Sequence, residues 1–144
     1  MMVKQFVSPL HRERFMLMAA EDSMDPRDSE RTSLFYLIAG NDGLYQKRRF
    51  IYNPVGHCIC ACLDNPDVDF SSGARSLVRL GFNLYNGWSD RYTTPLSLLG
   101  NLDSNNLHLA GNAIMIRLNW KFLEELVWEQ YSAAAFNQPE RRYP

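Results

Sequence analysis

Asp25-Pro26-Arg27-Asp28-Ser29-Glu30-Arg31-Thr32-Ser33-Leu34-Phe35-Tyr36-Leu37-Ile38-Ala39-Gly40-Asn41 is the stretch on which the fold turns. Arg31, Leu34, Phe35, Leu37 and Ile38 recur at the three-and-four spacing of a helix. Asp25 reads as the N-cap and Pro26 as the first helical residue, where its missing N–H costs nothing. Asp28 then places negative charge in the first turn, which the helix macrodipole favours. Gly40-Asn41 reads as the stop, with glycine taking the left-handed conformation beyond the last turn.

The same punctuation recurs on both sides. Ser8-Pro9 opens a helix to about residue 22, with Phe15, Met18 and Ala19 inward and Leu10 and Leu17 alongside. Asn41 or Asp42 caps a shorter helix over about 43–50, and 53–56 is a turn. Residues 57–63 form a short apolar run that suits a strand or a buried extended segment. Ser71 or Ser72 starts a helix that ends near Asn86-Gly87, with Leu77, Leu80, Gly81 and Leu84 apolar and Val78, Phe82 and Tyr85 widening the face. Thr94-Pro95 opens a short helix over 96–99. Asp103 caps a longer one whose inner face is read as Leu107, Ala110, Gly111, Ile114 and Leu118. Helix is expected to continue or restart over 119–131. The expectation is an all-α protein of six or seven helices with one short extended segment near 57–63. Residues 1–136 would form a single domain and 137–144 a flexible tail.

Composition agrees. A chain of 144 residues with 46% hydrophobic content is long enough for one core, since a domain near 150 residues buries roughly 68–70% of its unfolded surface. The net charge of −1 lacks the basic excess on which non-specific nucleic-acid binding rests. No apolar run approaches the roughly 20 residues that span a bilayer. Cys58, Cys60 and Cys62 are too closely spaced to bridge one another. Without a signal peptide, the expectation is a cytoplasmic protein with free thiols.

Arg31-Thr-Ser-Leu-Phe-Tyr-Leu-Ile-Ala-Gly-Asn-Asp42 and Arg79-Leu-Gly-Phe-Asn-Leu-Tyr-Asn-Gly87 resemble a small family of uncharacterised bacterial and mobile-element proteins. The likeness runs from about Phe15 to Asn119. It implies a bacterial or phage origin, and it lends no catalytic residues because that family has no established activity.

The chemistry-bearing motifs are sparse. His57-Cys58-x-Cys60-x-Cys62 would align three thiols on one strand face. A zinc site takes paired knuckles, however, and no second cluster exists. The plainer reading is small buried hydrophobes. Neither a Gly-x-Ser-x-Gly elbow nor a phosphate-binding glycine loop is present, and no metal or cofactor is expected. Asp22, Asp25 and Asp28 read as helix caps; Asp64, Asp67 and Asp69 read as a solvated loop.

Two polar stripes say more. Arg75, Arg79, Asn83 and Asn86 fall on one stripe of the helix after Ser72. Asn105, His108, Asn112 and Asn119 fall on one stripe of the helix after Asp103. Asparagine inside a helix costs up to about 0.7 kcal/mol against alanine, so something should compensate. One reading is a polar ligand: Arg75 and Arg79 would hold an anion, and Tyr85, Trp88 and Tyr92 would stack on a planar ring. The other is a network between helices. Arg31, Tyr36, Asn41, Asp42 and Tyr45 would similarly pair between helices.

The ligand-binding set is therefore Arg75, Arg79, Asn83, Tyr85, Asn86, Trp88, His108 and Asn112. The function expected is a non-enzymatic binding protein acting by occupancy. It would sequester a small anionic ligand such as a nucleotide, or block a partner protein, as a phage or mobile-element anti-defence factor would. A competing reading is a small hydrolase or transferase using His57 or His108 with a nearby carboxylate. A third is a homo-oligomer joined through the C-terminal helix, because Trp120, Phe122, Trp128, Tyr131 and Phe136 exceed what one face can bury.

Overall fold

Thr32 through Ala39 are all buried, eight residues in succession. A helix with no solvent face must be surrounded, and that requirement organises the molecule. The computed structural model describes residues 6–119. Seven helices occur among them: α1 (Pro9–Asp22), α2 (Ser29–Gly40), α3 (Asp42–Gln46), α4 (Arg48–Ile51), α5 (Ser72–Asn86), α6 (Pro95–Leu99) and α7 (Ser104–Arg117). Two short strands, β1 (Tyr52–Asn53) and β2 (Cys58–Ile59), pair antiparallel with Tyr52 opposite Ile59. Helices α1, α5 and α7 pack on α2, and α6 packs on α5. The protein is thus mostly α, with one minor hairpin, of which only β2 falls in the short apolar run at 57–63. The tail at 137–144 and the aromatic stretch from Trp120 lie outside the described residues.

The caps follow the punctuation closely. The side chains of Ser8, Asn41, Ser71, Thr94 and Asp103 each accept a backbone N–H at the helix they open. Helix α2 departs from expectation. Its cap is Asp28, which accepts the Arg31 N–H, and Asp25-Pro26 belong to the connection before it. The reason lies upstream. Ser23 turns left-handed (φ 52°) to close α1, and the Met24 N–H returns to Ala19 O at 3.0 Å. Met24 is thereby buried, which leaves Asp25 too early to open the next helix.

The buried polar groups of α2 are satisfied at home or by a neighbour. The Thr32 hydroxyl donates to Asp28 O at 2.7 Å and the Ser33 hydroxyl to Glu30 O at 2.9 Å. The Tyr36 hydroxyl accepts from Asn112 Nδ2 of α7 at 2.9 Å. His11 of α1 reaches the Tyr36 carbonyl, with Nε2 at 2.8 Å from it. Because the Val7 N–H donates to His11 Nδ1 at 3.1 Å, the imidazole proton sits on Nε2. The bond to Nδ1 holds only for the neutral ring, because a protonated Nδ1 could no longer accept from Val7.

Two expectations about packing are corrected. Gly40 is not a left-handed terminator; the only glycine with positive φ among the described residues is Gly87. Gly40 is instead a close approach, where a Cβ would run into Leu109 Cδ1 and come within 2.9 Å of His11 Nε2. Helix α7 is rotated from its expected face. Leu109, Ala110, Asn112, Ala113 and Ile116 are buried, while Leu107 and Leu118 are exposed. Apolar side chains occur all round this helix, so the partner, α2, decides which face goes in.

Two measurements test this packing. Burial lowers the His11 pKa from 6.5 to about 4, against the opposing pull of the Tyr36 carbonyl. The unfolded chain therefore binds more protons between those values. Stability is full above pH 6.5 and falls as pH drops towards 4, by roughly 3 kcal/mol at about 1.4 kcal/mol per unit. Urea unfolding across this window should show the slope, and His11→Gln should remove most of it; a flat profile in the parent protein would contradict the buried neutral ring. Gly40→Ala should destabilise by about 1–3 kcal/mol through overpacking against α7. A neutral or stabilising effect would mean that the α2–α7 contact is looser than described.

Candidate functional site

Helix α5 presents Ser72, Arg75, Ser76 and Arg79 at three-and-four spacing, so all four fall on one stripe. With α6 this stripe walls an open cleft of about 550 Å³, closed on the far side by Leu96, Ser97 and Asn101 and edged by Tyr92. Pro95 and the Thr94 cap start α6, and Gly100 ends it, which places Asn101 against α5. There the Ser76 hydroxyl donates to Asn101 Oδ1 at 3.0 Å and ties the two walls together.

Both arginines are anchored from outside the cleft. Arg75 donates twice to the Leu63 carbonyl, at 3.1 and 2.9 Å, and so holds the segment before α5. Arg79 Nε donates to Asp90 Oδ2 at 3.0 Å. Burial pushes the Asp90 carboxyl up, but Arg79, Thr93 and the Tyr92 N–H outweigh it and hold the group below its ordinary range. The terminal amino groups of Arg79 make no hydrogen bond among the described residues.

The other expected site residues are elsewhere. Asn83 donates to the Trp88 carbonyl at 3.0 Å, and Asn86 accepts the Trp88 N–H at 3.0 Å. They fold the loop after α5 back on the helix. Trp88 packs edge-on against Phe82, with ring centres 5.7 Å apart. Tyr85 lies edge-on to Tyr52 at 6.4 Å. Arg79 and Arg91 stand over the Tyr92 ring at 5.0 and 4.7 Å. Each of the three aromatics is thus in contact with a neighbouring ring or guanidinium. His108 is exposed on α7, and Asn112 is buried against Tyr36. Asn119 lies past the end of α7, in a left-handed conformation (φ 65°). Of the residues expected to meet a ligand, Arg75, Arg79 and Tyr92 line the cleft. Ser72, Ser76, Ser97 and Asn101 were not anticipated. Ser72 and Ser76 share the arginine stripe, and that spacing was the available signal.

A second polar group gathers where the hairpin meets the helices. Asp22, the last residue of α1, has a side chain only 2% exposed. Its Oδ1 accepts from the Tyr52 hydroxyl at 2.9 Å and lies 2.8 Å from His57 Nδ1. Asp22 Oδ2 makes no hydrogen bond among the described residues, and Arg31 Nε stands 3.6 Å from it. Arg31 Nε also donates to the Tyr52 hydroxyl at 2.9 Å, and its Nη1 pairs with Asp28 at 2.7 Å. Burial and the neighbouring Asp22 push the Tyr52 hydroxyl well above its ordinary pKa, so it stays protonated and donates. Arg31 does pair with acids, and Tyr36 and Tyr52 use their hydroxyls between elements. Sequence reasoning took Asp22 for a capping residue and did not connect it with His57.

The cysteines form no metal centre: no group of three ligating side chains occurs among the described residues. Cys58 is exposed, Cys60 half-buried and Cys62 buried. Burial, with a smaller effect from Cys60, raises the Cys62 thiol to about 11, and burial with the neighbouring Cys58 raises Cys60. Both are poor nucleophiles at neutral pH.

No helix of the described residues is long and apolar enough to cross a membrane. No curated protein and no solved structure matches the chain. The model of a family of unknown function, DUF6075, matches residues 1–130, and the chain belongs to that family.

Proposed function

We propose that the protein acts by occupancy, holding a small anion in the cleft between α5 and α6. The observation that carries this reading is the Arg79 guanidinium. It lines the cleft with a side chain 19% exposed, is held by Asp90 through Nε, and its terminal amino groups make no hydrogen bond among the described residues. A fixed guanidinium fork matches phosphate or carboxylate oxygens. The Ser72 and Ser97 hydroxyls add neutral donors at the rim.

The surrounding chemistry narrows the guest. Tyr92 already lies against two guanidiniums, which argues for recognition of the anionic group rather than of a base. A nucleotide would then be held by its phosphates. Sequestering such a ligand, or presenting the charged cleft to an acidic group of a partner protein, suits an anti-defence role in a phage or mobile element.

Native mass spectrometry of freshly purified full-length protein, followed by titration with inorganic phosphate and with AMP, tests this. Phosphate and AMP should bind with similar affinity. Arg79→Ala should weaken both by at least about tenfold, the worth of one charged hydrogen-bonding group. Its stability should drop by under about 1 kcal/mol, because the Asp90 pair is partly exposed. Absence of any retained or added anion, or equal binding by the variant, would overturn the reading.

A further inference from the structure

Helix α6 meets the arginines of α5 without a charge of its own, since Pro95-Leu96-Ser97-Leu98-Leu99 holds no ionisable side chain. Its leucines divide by role. Leu98 is buried and Leu99 packs partly on the core, whereas Leu96 lines the cleft and is 82% exposed. The Leu96 side chain lies close to Gly100, which also lines the cleft: a Cβ there would come within 3.4 Å of Leu96 Cδ1. Tyr92, 45% exposed, edges the same space. A single exposed leucine calls for no explanation. One that shares a cleft with two guanidiniums is different, because ligand sites set a few fixed polar groups beside an apolar lining.

The charge present suits a monoanion. Arg75 and Arg79 set against Asp90 leave one net positive charge at the α5 wall, and Arg91, over the Tyr92 ring, does not line the cleft. Arg75 gives both terminal amino groups to the Leu63 carbonyl, so Arg79 is the guanidinium placed to take oxygens. One carboxylate, with one charge and two oxygens, matches one such fork. The space of about 550 Å³ is that of a small-molecule site, and a lone carboxylate or phosphate would leave most of it unfilled. The cleft is open, so a chain attached to the guest has a way out. We propose that the guest is the C-terminal residue of a partner peptide, with its carboxylate on Arg79 and an apolar side chain against Leu96. The Ser72 and Ser97 hydroxyls line the cleft on opposite walls and can accept the N–H of that residue. This inference rests on the anion-holding reading of the cleft and narrows it to one ligand class.

Calorimetric titration of the full-length protein tests it with five probes: inorganic phosphate, N-acetylglycine, N-acetyl-leucine, N-acetyl-leucinamide and 4-methylpentanoate. N-acetyl-leucine should bind about tenfold tighter than N-acetylglycine, through partial burial of the leucine side chain. The uncharged leucinamide should bind at least about tenfold weaker than the acid. 4-Methylpentanoate keeps the side chain and carboxylate but lacks the N–H, and should bind about fivefold weaker. Leu96→Ser changes an exposed residue, so the variant should fold as the parent does, and its preference for N-acetyl-leucine over N-acetylglycine should shrink to within about twofold. Equal binding of the two acids by a parent protein that binds phosphate would overturn this inference and leave the anion reading standing. Binding of neither phosphate nor any acid would overturn both. Leucinamide as tight as the acid, 4-methylpentanoate as tight as N-acetyl-leucine, or an undiminished preference in Leu96→Ser would each overturn the peptide assignment.

Discussion

Burying α2 on every side removes water as a partner for its polar atoms, and the neighbouring helices are arranged to supply what water would have given. Each buried Leu, Ile or Phe side chain of α2 contributes about 1.5–3 kcal/mol, and Leu34, Phe35, Leu37 and Ile38 are all about 1% exposed. An unsatisfied buried polar group would cost about as much as one of them gains. Hence His11 of α1 answers the Tyr36 carbonyl, and Asn112 of α7 answers the Tyr36 hydroxyl. The two polar contacts come from different helices, so they fix the register of α1 and α7 on α2. The glycine at position 40 belongs to the same device, since it lets α7 come close enough for Asn112 to reach.

That arrangement explains which parts of the sequence were legible. Caps are local: Ser8, Ser71, Thr94 and Asp103 act on amides within three residues, and the sequence displays them directly. The α2 start was misplaced because two aspartates compete for it, and the winner was set by the burial of Met24. The α7 face was misread because Leu107, Leu109, Ile114, Ile116 and Leu118 leave no plainly polar side. Only contact with α2 breaks the tie. Asn112 illustrates the cost of that misreading. It looked like part of a ligand stripe and is buried among helices, while its stripe-mates Asn105 and His108 are exposed.

The candidate sites follow the same division. The arginines of α5 were visible because helical spacing places Arg75 and Arg79 on one stripe. The use of Asn83 and Asn86 was not, since their partner is the backbone of Trp88 in the loop beyond the helix. The Asp22–His57 pair joins residues 35 apart and depends on the hairpin, so neither residue type nor spacing announces it. Polar residues on this fold therefore serve two ends that the contacts display: Asn112 satisfies α2, while Asn83 and Asn86 tie a loop to its helix.

The central claim is that α2 is the element around which the rest is assembled. Native-state hydrogen exchange reads this residue by residue. The account predicts that amides of residues 33–39 exchange only through global unfolding, with the same free energy and denaturant dependence as the whole protein, while α6 opens at lower cost. Exchange of those α2 amides through a smaller opening, while α5 or α7 stays protected, would contradict it.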